Sequence, residues 1–467
     1  MNLAKKWTPS DDQVLALHMM MNQAAVGLFA DPGKGKTSIC LAAFKVLKEM
    51  GLVNKMLVTA PLFPAYNAWP GELTKWVDFL GLTYTILHDD KVCTKEEALE
   101  NDVDIYIINH EGLLWLFPDL SPKAKPKDKH TRHLRWDWDV LCVDEGTALK
   151  DSQTKRFGRI RSHIGNFRRR WLLTGTPSPN GYADLFGQIF VLDGGAALGA
   201  YITHFRTMYM TRGFNGYSYD FRPGAEEDIE EKIKPYVIRL EADHDFDVEN
   251  LYTDVFLPPE LMEQYKTLEA EFHLQLEEGE IVAANAGVVG GKLRQFANGA
   301  LYATDDMDER YWIQIHDFKL DALSSILSEL NGSPLLCFYE FQSDRDRILA
   351  RWPKTPVLGG GISAERANEL VIEFNAGKYP LMIAHPRSAA HGLNIQELSN
   401  RVCWFGITWN LEYYQQAIAR VARQGQEADI VYVHHIRCVG TKDTAVLERL
   451  QEKDATQTKL LQAIARP

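Results

Sequence analysis

The stretch 26-VGLFADPGKGKTSICLAAFKVLKEM-50 constrains this chain more than any other. An apolar run from Val26 to Phe29 reads as a buried strand. A glycine-rich turn follows, then apolar residues at helical spacing: Ile39, Leu41, Ala42, Val46 and Leu47. Strand, glycine-rich loop, Gly-Lys-Thr and helix is the order of a phosphate-binding loop. Gly33 and Gly35 admit backbone conformations closed to other residues, so that N–H groups can turn inward toward phosphate oxygens. The new helix points its positive end at the same place. Lys36 is placed to hold β- and γ-phosphates and the Thr37 hydroxyl to ligate Mg²⁺. The candidate nucleotide-binding segment is thus Asp31, Pro32, Gly33, Lys34, Gly35, Lys36, Thr37 and Ser38. One departure is visible: the first glycine of G-x-x-x-x-G-K-[ST] is Ala30 here.

With 467 residues, 45% hydrophobic and 24% charged, the chain has an ordinary globular composition and room for two or three domains. The start, MNLAKKWTPSDDQ, lacks the apolar core of a signal peptide. No run of about 18 apolar residues appears, so no membrane span is expected. The six cysteines are scattered without a C-x-x-C pair, which reads as buried reduced thiols in a cytoplasmic protein rather than a disulfide framework or a zinc site. The net charge of −12 argues against a nucleic-acid partner, but its distribution does not. Lys123 to Arg135 and Lys155 to Arg170 are strongly basic, and the second run holds no acid. Phosphate-backbone binding depends on the local face, so charge alone leaves nucleic-acid contact and plain solvated surface both open.

Ahead of the loop, 11-DDQVLALHMMM-21 has helical periodicity. Gln13 at its start carries the paired amide donor and acceptor that suit an adenine edge, and it is equally an ordinary polar helix-start residue. Beyond the loop helix, strands are expected at 55–60, 83–88 and 104–110, with 65–81 mostly helical; this alternation predicts a parallel α/β sheet. The segment 118–133 is Pro- and Lys-rich and reads as a loop. In 138-WDVLCVDEGTALKD-151 a strongly apolar strand ends in two adjacent carboxylates, at the strand end where open α/β sheets bind ligands. Asp144 is suited to hold Mg²⁺, directly or through water, and Glu145 to polarise an attacking water. A further strand runs into Thr174-Gly175-Thr176-Pro177, whose short hydroxyls suit either a γ-phosphate sensor or a plain turn. The segment 241–250 reads as an acidic linker and marks the domain boundary. The C-terminal half repeats the alternation, with strands expected at 334–339, 381–386, 402–406 and 430–436. In 409-WNLEYYQQAIARVARQGQ-426, Gln416, Arg420 and Arg423 are four and three apart, which on one helix puts all three on one face. Paired arginines suit a developing phosphoryl charge; they also occur on solvated amphipathic helices.

In order, the segments ADPGKGKTS, VTAP, IINHEGL, VDEGTALKD, LLTGTPSPN, LLCFY, HGLNIQ and QAIARVARQGQ resemble the motif series of helicase superfamily two, and within it the Swi/Snf-type DNA-dependent ATPases. TWN ahead of the arginine segment, RQGQ at its end, and KLRQFANG carry the subfamily signal. The match runs from about Gln13 to the terminal segment, and the compact chain looks most like phage-encoded members. The resemblance implies an α/β fold of two RecA-like parallel-sheet lobes in tandem with helical insertions between them, divided here as 1–244 and 245–467. It implies ATP and Mg²⁺ as ligands, with Gln13, Lys36, Thr37, Asp144 and Glu145 from lobe one, Arg420 and Arg423 from lobe two as arginine fingers, and Gly392 and Gln416 among the nucleotide-binding residues. The family's acid-pair motif usually continues to a His, where Thr147 stands here. DNA, duplex or forked, is the implied partner, with no membrane and an unidentified protein partner left open; a phage-encoded chain would work in the host cytoplasm. Three activities follow: a motor on duplex DNA, a fork-remodelling or strand-separating helicase of phage replication or recombination with Trp115 to Phe117 and the 118–133 loop as wedge candidates, and an ATP-dependent switch partnered with another protein.

Overall fold

The apolar run before the glycine-rich loop is a strand buried at every position, β1 (Ala25–Ala30), as a parallel strand covered on both faces must be. The computed structural model describes residues 5–62, 64–89, 94–120, 137–213, 218–242, 246–277, 282–304, 309–359, 361–389, 395–423 and 425–465. The chain divides into two units, Met1–Ala242 with Lys453–Pro467, and Asp243–Glu452. Each is built on its own parallel sheet, so the α/β architecture expected from the alternation of elements holds in both halves.

In the first unit, β1 lies with β2 (Met56–Ala60), β3 (Tyr84–Ile86), β4 (Ile105–Asn109), β5 (Val140–Asp144), β6 (Arg169–Thr174) and, after a small antiparallel hairpin of β7 (Met210–Arg212) and β8 (Tyr219–Phe221), β9 (Val237–Leu240). The order across the sheet is β3-β4-β2-β5-β6-β1-β9, parallel throughout. β5, β6 and β1 are consecutive neighbours, so their carboxyl ends open on one edge of the sheet. Three helices matter for what gathers there. α1 (Asp11–Asn22) is started by a capping box between Ser10 and Gln13, which satisfies two backbone N–H groups reciprocally. α2 (Lys36–Glu49) follows the glycine-rich loop and buries Ile39, Leu41, Ala42 and Leu47. α3 (Trp69–Lys75) follows β2 and buries Trp69 and Leu73.

The second unit carries a six-stranded parallel sheet of β10 (Asp247–Val255), β13 (Leu335–Phe338), β14 (Val357–Leu358), β15 (Leu381–Ala384), β16 (Arg401–Trp404) and β17 (Ile430–Cys438), in the order β10-β17-β16-β13-β15-β14. An antiparallel hairpin of β11 (Ala300–Thr304) and β12 (Arg310–Gln314) and the helices Pro259–Glu277 and Val282–Asn298 complete its leading part.

Three readings change. The end of the stretch expected as an acidic linker, from Asp247 to Asn250, is strand: β10 pairs residue for residue with β17 from Asp247↔Ile430 to Val255↔Cys438. Its acids disguise it because an edge strand exposes nearly all of its length, and only Val255 is fully buried. The helix expected over 409–426 ends at Ile418. The chain then turns so that Val421 is completely buried, and the Gln426 amide donates to the carbonyls of Ser399 and Val421 at 3.1 Å each. The last fifteen residues belong to the first unit, not the second: the helix Lys442–Ile464 buries Val446, Leu447 and Leu450 early, while Leu460, Leu461 and Ile464 join the first unit's core.

A buried ion network organises the second unit. Lys319, with no exposed surface, donates to Asp443 at 2.6 Å, to the Asn298 amide oxygen at 2.7 Å and to the Phe405 carbonyl at 3.1 Å. The Asn298 amide N–H₂ donates in turn to Asp344 at 2.8 Å, whose carboxyl burial pushes up to about 6, against hydrogen bonds from the Phe341 backbone and Asn298 and the charges of Lys319 and Arg347. Four elements distant in sequence are joined through one ammonium. We expect Lys319→Ala to destabilise this unit by about 3–5 kcal/mol, since it strands buried carboxylates without their counter-charge. A loss below about 1 kcal/mol in urea unfolding of the variant would show that the network contributes little.

Candidate nucleotide-binding site

The glycine-rich loop leaves the sheet at the end of β1 and takes the backbone shape the sequence called for. Gly33 and Gly35 have φ of +89° and +72°, the left-handed region that other residues enter only at a cost. Gly35 is the N-cap of α2. The Lys36 ammonium donates to the Ala30 carbonyl at 2.8 Å, which folds the lysine back over the loop. A Cβ built on Gly175 would lie 3.6 Å from that ammonium and 3.3 Å from the Ala30 carbonyl oxygen, so the Thr-Gly-Thr-Pro turn at the end of β6 sits directly against the loop. Thr174 and Ser178 are completely buried and Thr176 nearly so. The Thr176 backbone N–H donates to the Thr174 hydroxyl at 3.1 Å, and the Thr176 hydroxyl oxygen is buried with no hydrogen-bond partner among the described residues.

The acid pair stands at the end of β5. Asp144 is 7% exposed. One carboxylate oxygen accepts the Trp69 indole N–H at 2.9 Å, and the other accepts the Glu145 backbone N–H at 3.1 Å. Burial pushes its carboxyl above the usual carboxylate range; the Trp69 N–H and the Lys36 charge oppose that rise. Glu145 has φ of +51°, one of two non-glycine residues with positive φ among the described residues. Such a backbone costs about 1–3 kcal/mol and persists where surrounding structure dictates it. Thr147, at the position where a His was expected, is buried. A different histidine comes close: His110, at the end of β4, meets the Thr59 hydroxyl with its Nδ1 at 2.9 Å. Burial, helped by the Arg156 charge, lowers its pKa to about 3, against the Asp144 backbone carbonyl, so it is neutral at working pH.

The other expected site residues separate into groups. Gln13 lies at the loop: its amide oxygen accepts from the Ser10 backbone at 3.0 Å and its N–H₂ donates to the Lys34 carbonyl at 3.0 Å, bracing the loop from α1. Lys34 pairs with Asp12 at 3.3 Å. Asp31 pairs with Arg239 at 2.6 Å and accepts the Ala242 backbone N–H at 2.9 Å, which fixes the loop to β9. The Ser38 hydroxyl, inside α2, donates to Glu72 at 2.6 Å. Glu72 also accepts from Trp76 at 2.6 Å and Lys75 at 3.0 Å; burial raises its carboxyl, and these three donors more than offset that and hold it below the usual range. Pro32 and Thr37 complete the loop. Gln416, Arg420 and Arg423 lie in the second unit, with Gln416 buried on the short helix Leu411–Ile418 and both arginines in the turns beyond it rather than on its face. Burial lowers the Arg423 guanidinium's pKa. Gly392 lies outside the described residues.

Residues that sequence reasoning missed form the layer behind the loop. Trp69, Glu72 and Trp76 recur at helical spacing in 65-AYNAWPGELTKW-76, and that spacing was the available signal. Two earlier readings can be followed only in part among the described residues. In the basic run Lys155 to Arg170, Arg156 pairs with Glu111 at 2.9 Å, Arg159 with Asp119 at 3.6 Å and Arg168 with Asp139 at 3.3 Å. Arg161 stacks over the Tyr201 ring and Arg169 donates to the carbonyls of Met20 and Gln23. Those arginines have partners within the fold, although the Arg168 side chain stays 71% exposed. The other basic run, Lys123 to Arg135, lies outside the described residues, as does most of the 118–133 loop. Of the wedge candidates, Leu116 and Phe117 are core residues and Trp115 donates to Glu96 at 3.2 Å.

Residues 13–197 match the SNF2-related domain family, and residues 318–425 the helicase conserved C-terminal domain family. The chain belongs to the Swi/Snf-type ATPases of helicase superfamily two. It is 32% identical to the protein p41 of Acyrthosiphon pisum secondary endosymbiont phage 1, over 99% of this chain and all of that one. It is 25% identical to YwqA of Bacillus subtilis, named as an ATP-dependent helicase/translocase, and 23% identical to the nuclear protein STH1/NPS1 of Saccharomyces cerevisiae. Those matches cover 93% and 95% of this chain but only 46% and 34% of the two relatives. Among solved structures, the Sulfolobus solfataricus SWI2/SNF2 ATPase core in complex with dsDNA is similar over all of this chain and 98% of that one, with 20% identity and a TM-score of 0.43. Among the described residues, no helix of this Swi/Snf-type ATPase is long and apolar enough to cross a membrane.

Membership of the family implies nucleotide use, and the residues present fit a nucleotide: a left-handed glycine loop, a lysine folded over it, and a buried hydroxyl without a partner. Gly35→Ala should weaken ADP binding about tenfold, because the new Cβ enters a left-handed backbone and lies 2.8 Å from the Gln13 amide nitrogen. Calorimetric titration of the variant reads this directly, and an unchanged Kd would mean that the loop tolerates another shape.

Proposed function

We propose that this chain is an ATP-driven motor that moves on duplex DNA and hydrolyses ATP at the site built on the first unit. The observation that carries the reading is the meeting of three strand ends: the loop after β1, the acid pair after β5 and the Thr-Gly-Thr-Pro turn after β6, with Lys36 against Gly175. Backbone N–H groups of Gly33 to Thr37 and the Lys36 ammonium bind the β- and γ-phosphates of ATP. Thr37 and Asp144 are the residues that would hold Mg²⁺, which neutralises charge on those phosphates when bound. Glu145 accepts a proton from the attacking water, and its constrained backbone fixes where its side chain starts. The resemblance assigns Arg420 and Arg423 of the second unit the role of arginine fingers, a contribution worth about 10³–10⁵ in rate, and counts Gln416 and Gly392 among the nucleotide-binding residues. Because the two units hold different parts of this machinery, hydrolysis is coupled to their relative motion.

Leu116 and Phe117 are buried in the first unit's core and so are removed as wedge candidates; duplex tracking is the reading we put first because the subfamily resemblance supports it. A phage-encoded motor of this kind acts in the host cytoplasm.

The decisive experiment is the steady-state ATPase rate without nucleic acid and with duplex DNA, single-stranded DNA, forked DNA and RNA. We expect strong stimulation by duplex that weakens as salt rises. Stimulation by forks or single strands alone would favour the remodelling helicase, and none at all the protein-partnered switch. Lys36→Ala should abolish turnover with the fold intact by circular dichroism; a normal rate would remove the phosphate-loop assignment. Arg423→Ala should lower kcat by about 10³ while leaving ATP affinity within about threefold. The reverse pattern would show that Arg423 binds nucleotide rather than stabilising the transition state.

A further inference from the structure

The helix α3 touches two parts of the nucleotide site that are far apart in sequence. From one end, the Trp69 indole N–H donates to the Asp144 carboxylate at 2.9 Å. One turn on, Glu72 accepts the Ser38 hydroxyl of the loop helix α2 at 2.6 Å. Residues three apart on a helix are neighbours on its surface, so the two side chains stand together and reach in different directions. Both are themselves immobilised. Trp69 is completely buried beside Leu73 and Ala65 in the core that also holds Ile39, Leu41 and Cys142. Glu72 is held by Trp76 at 2.6 Å and Lys75 at 3.0 Å as well as by Ser38.

We propose that Trp69 and Glu72 are positioning residues of the ATPase site, Trp69 fixing the Asp144 carboxylate and Glu72 fixing the start of the loop helix through Ser38. The proposal rests on the reading of that site as an ATPase. Asp144 has two carboxylate oxygens, and the backbone N–H of Glu145 already takes one at 3.1 Å. The indole N–H takes the other, so the carboxylate plane is set by two donors from different elements. An indole is a donor only; it cannot rotate to accept, and it holds the carboxylate in one orientation. Glu72 does the corresponding work for α2. Ser38 lies in the first turn of that helix, one residue past the Thr37 hydroxyl, so the direction of the Thr37 side chain follows the seating of that turn. A single rigid helix therefore sets the relative placement of the two residues that would hold the metal.

The test uses the full chain with four single variants, Ser38→Ala among them, and one double variant. Trp69→Phe keeps the buried ring and removes the donor. Glu72→Gln keeps the shape and removes the charge. Leu73→Ala deletes a buried side chain of the same helix that, being aliphatic, makes no hydrogen bond to Asp144 or Ser38. ADP binding is measured by calorimetry with Mg²⁺ and with EDTA, alongside kcat, KM and the thermal midpoint. We expect Trp69→Phe to bind ADP normally in EDTA, to lose most of the Mg²⁺-dependent gain in affinity, and to lower kcat about tenfold or more, as loss of a group that orients a metal ligand does. Glu72→Gln should weaken ADP binding with or without Mg²⁺ by several-fold, and Ser38→Ala should reproduce that loss without adding to it in the double variant. Leu73→Ala should lower the midpoint and leave kcat and the Mg²⁺ dependence at wild-type values. If Trp69→Phe keeps both the wild-type kcat and the wild-type Mg²⁺ dependence, or if Leu73→Ala reproduces its losses, the positioning role is overturned and α3 is merely a packed helix. If Trp69→Phe does not fold, additive losses in the Ser38 and Glu72 double variant overturn the proposal by themselves. Absence of ADP binding by the wild-type chain overturns the ATPase reading, and this proposal with it.

Discussion

A carboxylate buried at the end of a strand must be supplied with donors, and Asp144 makes that demand at the centre of the first unit. It is 7% exposed, and an unpaired charge there would cost several kcal/mol. The fold meets the demand from three directions: a backbone N–H from the next residue, an indole N–H from α3 and the charge of Lys36 on the loop. Each supplier is placed by a different strand of one parallel sheet. β5 brings the acid, β2 leads into α3, and β1 leads into the loop. The parallel order β2-β5-β6-β1 puts all of their carboxyl ends on one edge, which is why the site forms there and nowhere else on the sheet.

The second unit solves a similar problem with the signs reversed. Its buried centre is an ammonium, Lys319, and the suppliers are Asp443, Asn298 and the Phe405 carbonyl. Asn298 then passes the connection to Asp344, and the Arg347 guanidinium donates to the Asn298 carbonyl at 2.6 Å. Removing any one member leaves another buried and unpartnered, so the group behaves as a unit. Through it the segment KLRQFANG, the helix Phe318–Leu330, the strand end at Phe405 and the C-terminal helix are held in register. Gln416, Arg420 and Arg423 follow soon after Phe405 in the chain, so this network is part of what fixes their starting position.

Much of this was legible in the chain alone. The strands with continuous apolar runs were placed to within a residue or two, because burial on both faces leaves little choice of residue type: VGLFA, VLCVD and LLCF admit no other reading. The phosphate loop was legible because its chemistry demands glycine, lysine and a hydroxyl in a fixed order. Strand β10 was not, because an edge strand exposes its length and can carry DVENLYTD without penalty. The arginine segment was misread as one helix because the spacing of Gln416, Arg420 and Arg423 is helical, while the turn after Ile418 is dictated by the burial of Val421 and the reach of Gln426, neither of which periodicity reveals. The basic run Lys155 to Arg170 was open to either reading, nucleic-acid face or solvated surface, because sequence shows charges without their partners. In three dimensions Glu111, Asp119 and Asp139 come from distant segments to pair with three of its seven basic residues, Arg156, Arg159 and Arg168.

The sequence by itself determined the class of the protein: two parallel α/β halves, a phosphate loop in the first, an acid pair at a strand end and an arginine-bearing segment in the second. These are set by local chemistry, since loop, strand end and motif each need particular residue types at short range. Only the tertiary structure decided which side chains stand behind the site. That Trp69 donates to Asp144 across 75 positions, that Glu72 holds Ser38 across 34, and that Arg239 holds Asp31 across 208 depends on strand order and on helix packing against the sheet. Those relations join segments with no spacing in common, so no pattern along the chain records them.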